Sequence, residues 1–313
     1  MLEIGNRYWI EDFMKILLTS NKTYRGFLDG SWWYFYLPLR DMGHEVYFYD
    51  TVLGDDKTYV ETIETFKPDL IFCIMTGDAG IAPAEPWQEI LNETKTGRTK
   101  TFNWFCDDTW RYNTFSKNAC HYFNVCSTPE KSRVDDYRRD GYDNAIVANW
   151  HANSKFYEVK TYEDKNIDIS FIGNLTTSRK SFFNRVDIPI TFLSGISQNE
   201  LFDAHTTTKI GINLSVNDND TEGKTQMKQR MFEVPAGGGM LLTQYHEGVE
   251  DYFEIDKEII TFRSSDEFSQ KAKFLTMNPK ISRAIAENGY KRFIKEHDSA
   301  IRLQQTLQEI GKL

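Results

Sequence analysis

Short apolar runs separated by helical segments recur along this chain, and that alternation limits the fold more than any other feature. KILLTS (15–20), HEVYFYD (44–50), LIFCIM (70–75), TFNWFC (101–106), NVCST (124–128) and NAIVA (144–148) each read as a strand. A second series follows: DISFIG (168–173), ITFLS (190–194), KIGINLS (209–215), MLLT (240–243) and EIITF (258–262). Gly43, Pro68 and Gly141 end the first, second and fifth intervening helices. Asp55 and Asp56 stand where an N-cap belongs, ahead of Val60, Ile63 and Phe66 at helical spacing. Buried-type strands joined by helices argue for a parallel, doubly wound sheet. No Gly-x-Gly-x-x-Gly follows the first strand, so nicotinamide or flavin is not expected there.

The alternation pauses around Asn149 to Phe156, a charged stretch (158–166) follows, and the pattern then restarts. We therefore expect two α/β domains, 1–155 and 156–313, which a chain of 313 residues is long enough to support. Residues 1–13 match no repeat and read as an added strand or arm, while Pro279 to Ile310 reads as one or two long helices.

The net charge of −9 argues against a broad basic face for nucleic acid. Lys131, Arg133, Arg138 and Arg139 fall on one basic helix, better read as a solvated face. A nucleic-acid acceptor stays as a less favoured alternative. No run approaches the ~20 apolar residues of a membrane helix, and no basic-then-apolar leader opens the chain. Cys73, Cys106, Cys120 and Cys126 lack metal-ligand spacing and read as reduced thiols, so the expected compartment is the cytoplasm.

The stretch 225–243, TQMKQRMFEVPAGGGMLLT, carries the clearest chemistry. Thr225 to Ala236 reads as a short helix, Gly237 to Gly239 as its end, and Met240 onward as a buried strand. Breaks near strand ends are where α/β proteins bind nucleotides. Glu233 suits a ribose diol, and Lys228 with Arg230 suit a diphosphate. On the local sequence alone, a charged surface helix with a glycine cap is the favoured reading of the same residues.

Arg230, Phe232, Glu233, the glycines, Leu241-Leu242-Thr243, Glu250 to Phe253 and Lys257 to Ile259 together resemble the CgeB-like glycosyltransferases, a group named after a spore-maturation protein. That group is similar to the family 4 retaining glycosyltransferases with the two-domain GT-B fold. The likeness continues through Gly289 to Arg292 and His297 to Arg302, and upstream through Phe171-Ile172-Gly173, Asn103 to Asp108 and Gly43 to Val46. It implies two Rossmann-like domains facing across a cleft: an N-terminal acceptor side, a C-terminal donor side, and a last helix crossing back to the N-terminal domain. It also implies transfer of a sugar from a nucleotide donor, most simply a UDP-sugar, to a hydroxyl on a glycan or other acceptor. Retention would follow front-face attack assisted by the departing diphosphate. A catalytically silent scaffold and a nucleotide-sugar epimerase are the alternatives on the same fold.

In family 4, two glutamates eight positions apart frame the donor. Glu233 matches the second, expected on the ribose, and Gln226 takes the place of the first with an amide that carries no charge. The loop from Gly173 to Lys180 lies where related enzymes place phosphate-binding cations. Arg179 and Lys228 are the leading pair, Lys180 and Arg230 the reserves, with Gly173, Gly238, Thr243 and His246 completing the donor set. Neither Asp107-Asp108 nor Asp218-x-Asp220 has the form of a metal-dependent transferase motif, so no metal and no cofactor beyond the donor are expected. Asp107 and Asp108 end an apolar strand and are expected to face the cleft, with Asp107 receiving a proton from, or positioning, the acceptor hydroxyl. An N-cap for the next helix accounts for one of them as well. Asp78 is a weaker case of the same kind, His151 marks the hinge, and Trp32 to Tyr36 reads mostly as core or interdomain contact.

Overall fold

The computed structural model describes residues 13–218 and 224–313; the expected N-terminal arm and Asp220 lie largely outside them. The chain builds β1 (Lys15–Ser20), a small antiparallel hairpin β2 (Thr23–Tyr24) and β3 (Phe27–Leu28), then β4 (Glu45–Asp50), β5 (Leu70–Ile74), β6 (Lys100–Trp104), β7 (Val125–Thr128) and β8 (Ala145–Val147). After a crossover it adds β9 (Ile167–Ile172), β10 (Thr191–Leu193), β11 (Thr208–Asn213), β12 (Met240–Gln244) and β13 (Ile260–Phe262). Apart from the hairpin these form two sheets, ordered β4-β1-β5-β6-β7-β8 and β10-β9-β11-β12-β13. Every ladder within the two sheets is parallel. Helices cover both faces, which is why Ile16, Leu17 and Leu18 of β1 and Leu70 to Cys73 of β5 are all buried.

Each sheet reverses its winding at one place: β1 sits between β4 and β5, and β9 sits between β10 and β11. Crevices open at the carboxyl ends of the strands at such reversals. The carboxyl edges of the two sheets face each other, since residues following β6 and β7 touch residues following β11 and β12. The apolar core is continuous through the seam, running from Ile16, Phe72 and Phe102 to Phe232, Leu241 and Phe253. The aromatic run Trp32–Tyr36, wound as one π-helical stretch, supplies much of the join. Trp33 meets Phe156 and Phe202 edge-on at 5.1 and 5.6 Å, and Tyr34 and Phe35 are buried.

The chain crosses between the sheets twice, and the crossings are tied side by side. Ala152 pairs with Asp298 in a parallel bridge, and the Ser299 amide donates to the Ala152 carbonyl at 2.9 Å. Ser154 N donates to Asp298 Oδ2 at 2.9 Å, and His151 Nδ1 lies 2.8 Å from Ser299 Oγ. Pro279–Glu296 and Ser299–Lys312 are separate helices; the second returns to the first sheet, packs on the helix Leu37–Asp41 and accepts Lys100 Nζ at the Ile310 carbonyl, 3.1 Å away. No helix among the described residues is long and apolar enough to cross a membrane.

Local expectations shift in three places. The helix expected from Thr225 begins only at Arg230, because Thr225 pairs with Val216 and Gln226 N donates to Ser215 O at 2.9 Å. That bridge satisfies the backbone in an extended form. Thr58, not Asp55 or Asp56, caps the second helix through a capping box with Glu61, while Asp55 accepts a bond from the Tyr47 hydroxyl. The basic helix Arg133–Arg139 is internally neutralised, with Arg133 and Arg139 on Asp136 and Arg138 on Asp135.

The glycine turn works by space as well as by torsion. Gly238 takes φ +68°, whereas Gly237 has an ordinary φ of −76°. A Cβ on Gly237 would lie 2.7 Å from the backbone of His205. Buried Lys165 caps both helix ends there, with Nζ 2.7 Å from the carbonyls of Thr206 and Gly237. Gly237→Ala is expected to destabilise the fold by about 1–3 kcal/mol through overpacking, seen as a lower urea midpoint at unchanged slope.

Candidate active site at the seam between the sheets

Cations gather at the reversal point of the second sheet. Gly173, just past β9, has φ +145°, and a Cβ there would lie 2.3 Å from Arg230 Nη2. Only a glycine leaves room for that guanidinium. Arg230 opens the helix Arg230–Ala236, donates Nε to the Ile172 carbonyl at 2.5 Å and Nη1 to Asn213 Oδ1 at 3.2 Å. It therefore bridges the ends of β9 and β11. Arg179, from the helix Thr177–Phe183, donates to the Asn174 carbonyl at 2.8 Å. Both guanidinium groups lie against the Phe171 ring, at 4.6 Å for Arg230 and 5.5 Å for Arg179.

Lys228 completes the group. Burial and then the nearby Arg179 and Arg230 push its ammonium down to about 8, against the pull of Asp107 across the seam. Burial, followed by Arg179, brings Arg230 down to about 10. Arg179 is also lowered, by burial opposed by Asp218. Asp218 itself accepts from Thr176 Oγ1 and Ser178, a capping arrangement and not a metal motif. Lys180, from the same helix as Arg179, is exposed.

Glu233 lies further along the helix and faces the first sheet's side of the seam. It is 6% exposed, accepts the Tyr34 hydroxyl at 2.6 Å and stands 3.6 Å from His205 Nε2. Tyr34 also receives Gln198 Nε2 at 2.9 Å and lies 3.2 Å from the Tyr157 hydroxyl. Burial pushes the Glu233 carboxyl up, but His205, Tyr34 and Arg230 outweigh it and hold it below the usual range. Tyr34 and His205 were not singled out from sequence; Tyr34 is hidden in the aromatic run, and a lone histidine carries no spacing signal.

Opposite the cations, Asp107 follows β6 and accepts Gln226 Nε2 at 3.0 Å. Thr109 Oγ1 donates to the Gln226 side-chain oxygen, Oε1. Gln226 precedes Glu233 by seven residues, lies outside the helix and touches the other sheet's loops, so the expected pairing of the two along one donor-facing helix does not hold. Beyond Thr109 the seam widens into a cavity of about 1040 Å³ whose walls include Glu130, Arg133, Thr225 and His246. His246 Nδ1 is 3.2 Å from Thr225 Oγ1, and Nε2 is 3.5 Å from Glu130 Oε2. Glu130 directly follows β7 and Pro129, the strand-end position that drew attention to Asp107, yet it passed unremarked.

Other expected site residues fall elsewhere. Asp108 is fully buried inside the first domain, accepts the Tyr137 hydroxyl at 2.8 Å and has its pKa raised by burial. Its neighbour Asp107 takes the seam because the chain turns into a helix there. Thr243 is buried within β12, its hydroxyl accepting from Asn213 Nδ2 of β11 at 3.0 Å. Gly238 sits at the far edge of the sheet beside Val159 and Lys165, since the helix from Arg230 runs away from the cleft. Asp78 closes its own loop by accepting Gly80 N at 2.9 Å. His151 is buried at the crossover, kept neutral by burial and Arg302, which bring it down to about 3. No group of side chains among the described residues has the make-up of a metal site.

Residues 156–308, the second sheet with its following helices, match the glycosyl transferase-like family model. Among solved structures the chain is similar to a glycosyltransferase from Rickettsia africae ESF-5, with 11% identity and TM-score 0.63 over 96% of this chain and 98% of that one. It is similar to Anabaena Alr3699/HepE in complex with UDP and glucose, at 11% identity and TM-score 0.64, covering 96% and 100% of the two chains. It also matches alpha-glucosyltransferase (AGT) in complex with UDP, at 12% identity and TM-score 0.63 over 95% and 100%. No curated protein sequence matches the chain. The fold is of GT-B architecture, two Rossmann-like units with the last helix returned to the first, and the second unit is the part that matches the glycosyl transferase-like model.

The cation cluster has a consequence for stability. Lys228 titrates near 8 in the fold against 10.5 for an ordinary lysine. Between those values the unfolded chain holds more protons, so folding stability gains with rising pH across that window. Below about 8 the cost is present in full. Chemical denaturation from pH 7.5 to 10.5 is expected to show this gain in the wild type and to show it reduced in Lys228→Met.

Proposed function

We propose that the protein transfers a sugar from a UDP-sugar to a hydroxyl acceptor, with retention at the anomeric carbon and with fixed cations in place of a metal. The observation that carries this reading is the convergence of Arg179, Lys228 and Arg230 on the reversal point of the second sheet. Three partly dehydrated cations, with Arg179 lowering the other two, are unfavourable without an anion, and a nucleoside diphosphate supplies one. Glycosyl transfer loads further negative charge onto the departing diphosphate, which prepositioned cations stabilise. The UDP present in the Anabaena and AGT structures supports uridine as the base. Retention and the CgeB-like, spore-maturation type rest on the motif resemblance. In the same reading the chain divides near residue 155 into acceptor and donor domains and works in the cytoplasm.

Glu233 is the proposed ribose ligand. Tyr34 donates to its carboxylate, so ribose binding exchanges a phenol for a ribose hydroxyl. Asp107 is the proposed acceptor-side carboxylate, facing Lys228 across the seam. His246 and Glu130 line the cavity through which an acceptor reaches it.

Calorimetry with UDP, ADP and GDP tests this directly. UDP is expected to bind, and Glu233→Ala to weaken it by about 1–3 kcal/mol, the range for a lost charged hydrogen-bond partner. Absence of binding by every diphosphate would refute the donor site, and unchanged affinity in Glu233→Ala would remove the ribose assignment.

A further inference from the structure

Gln226 makes the most specific polar contact across the seam, and its chemistry points to a task the donor reading does not include. The residue belongs to the second sheet's side, anchored by its backbone to Ser215, and is 2% exposed. Its side chain reaches the other side with both ends used: the amide nitrogen donates to Asp107 Oδ1 at 3.0 Å, and the amide oxygen accepts from Thr109 Oγ1. Resting on the glycosyltransferase reading, we propose that Gln226 is a positioning residue that fixes the Asp107 carboxylate toward the acceptor hydroxyl. Two residues along the same segment, Lys228 joins the diphosphate cations, so one segment sets both the donor charge and the acceptor-side carboxylate.

An amide is what this place requires. It offers a donor to the carboxylate and an acceptor to the hydroxyl at once. A glutamate would set two carboxylates against each other, which disfavours ionising both. An asparagine is one methylene shorter and falls short of the far side. Gln226 stands seven residues before Glu233, one short of the spacing of the family 4 pair, and its amide is accounted for by these two contacts. The other charged or titratable groups around the pair are Lys228, the Cys106 thiol, Arg133 donating to the Thr109 carbonyl at 3.2 Å, Arg111 donating to the Thr76 carbonyl, and His246 through Thr225.

A protonated glutamic acid is nearly isosteric with glutamine and regains a donor, so the substitution is itself pH-sensitive. Hydrolysis of a panel of UDP-sugars, which needs no known acceptor, is measured from about pH 8.5 to 5.5 for wild type, Gln226→Glu and Gln226→Leu, with UDP affinity followed by calorimetry. At the alkaline end Gln226→Glu is expected to lose about tenfold or more in turnover, with UDP Kd within about twofold of wild type. Relative to wild type, its turnover should recover about tenfold toward the acid end, while Gln226→Leu stays low throughout. A ratio of Gln226→Glu to wild type that stays flat with pH, or a loss of UDP affinity equal to the loss of turnover, would overturn the proposal. A wild type that binds UDP and hydrolyses sugars while Gln226→Leu keeps full turnover overturns it too. A wild type that neither binds UDP nor turns over any UDP-sugar instead brings down the glycosyltransferase reading, and the role of Gln226 with it.

Discussion

A parallel sheet delivers every strand's carboxyl end to the same edge, and this chain builds two such sheets and sets those edges against each other. Everything at the seam follows from that arrangement. The loops after β6 and β7 have nowhere to go but toward the loops after β11 and β12, so Asp107, Glu130, Gln226 and His246 meet although they are far apart in sequence. Where β9 lies between strands wound in opposite directions, the crevice is held open, and Gly173 lets Arg230 fill its floor.

The electrostatics of the seam divide cleanly. One wall carries Arg179, Lys228 and Arg230, all depressed in proton affinity by burial, with Arg179 lowering the other two further. The balancing carboxylates are already engaged: Glu233 with Tyr34 and Asp107 with Gln226. Arg230 spends two of its donors on Ile172 and Asn213, so its charge is fixed in place before any ligand arrives. Such prior fixing is what lets a cation stabilise developing charge without reorganisation.

The strand pattern made the architecture legible, because strands buried on both faces must read as apolar runs and glycines must mark the turns. Each expected strand appears within a residue or two of its place. The cations were legible from type and position, as Arg179, Lys228 and Arg230 converge. What sequence could not supply was which way each side chain turns. Asp107 and Asp108 are adjacent and chemically identical, yet one faces the seam and the other disappears into the core on Tyr137. Gln226 looked like a damaged donor ligand until its partner on the other sheet came into view. Contacts such as Glu233 to Tyr34, made between the two halves by residues 199 positions apart, leave no periodic trace in the chain.

The stitched pair of crossovers at Ala152 and Asp298 leaves the two connecting segments no independence. Because they are bonded to each other and the apolar core runs on through the seam, a displacement of one half against the other has to carry both segments together.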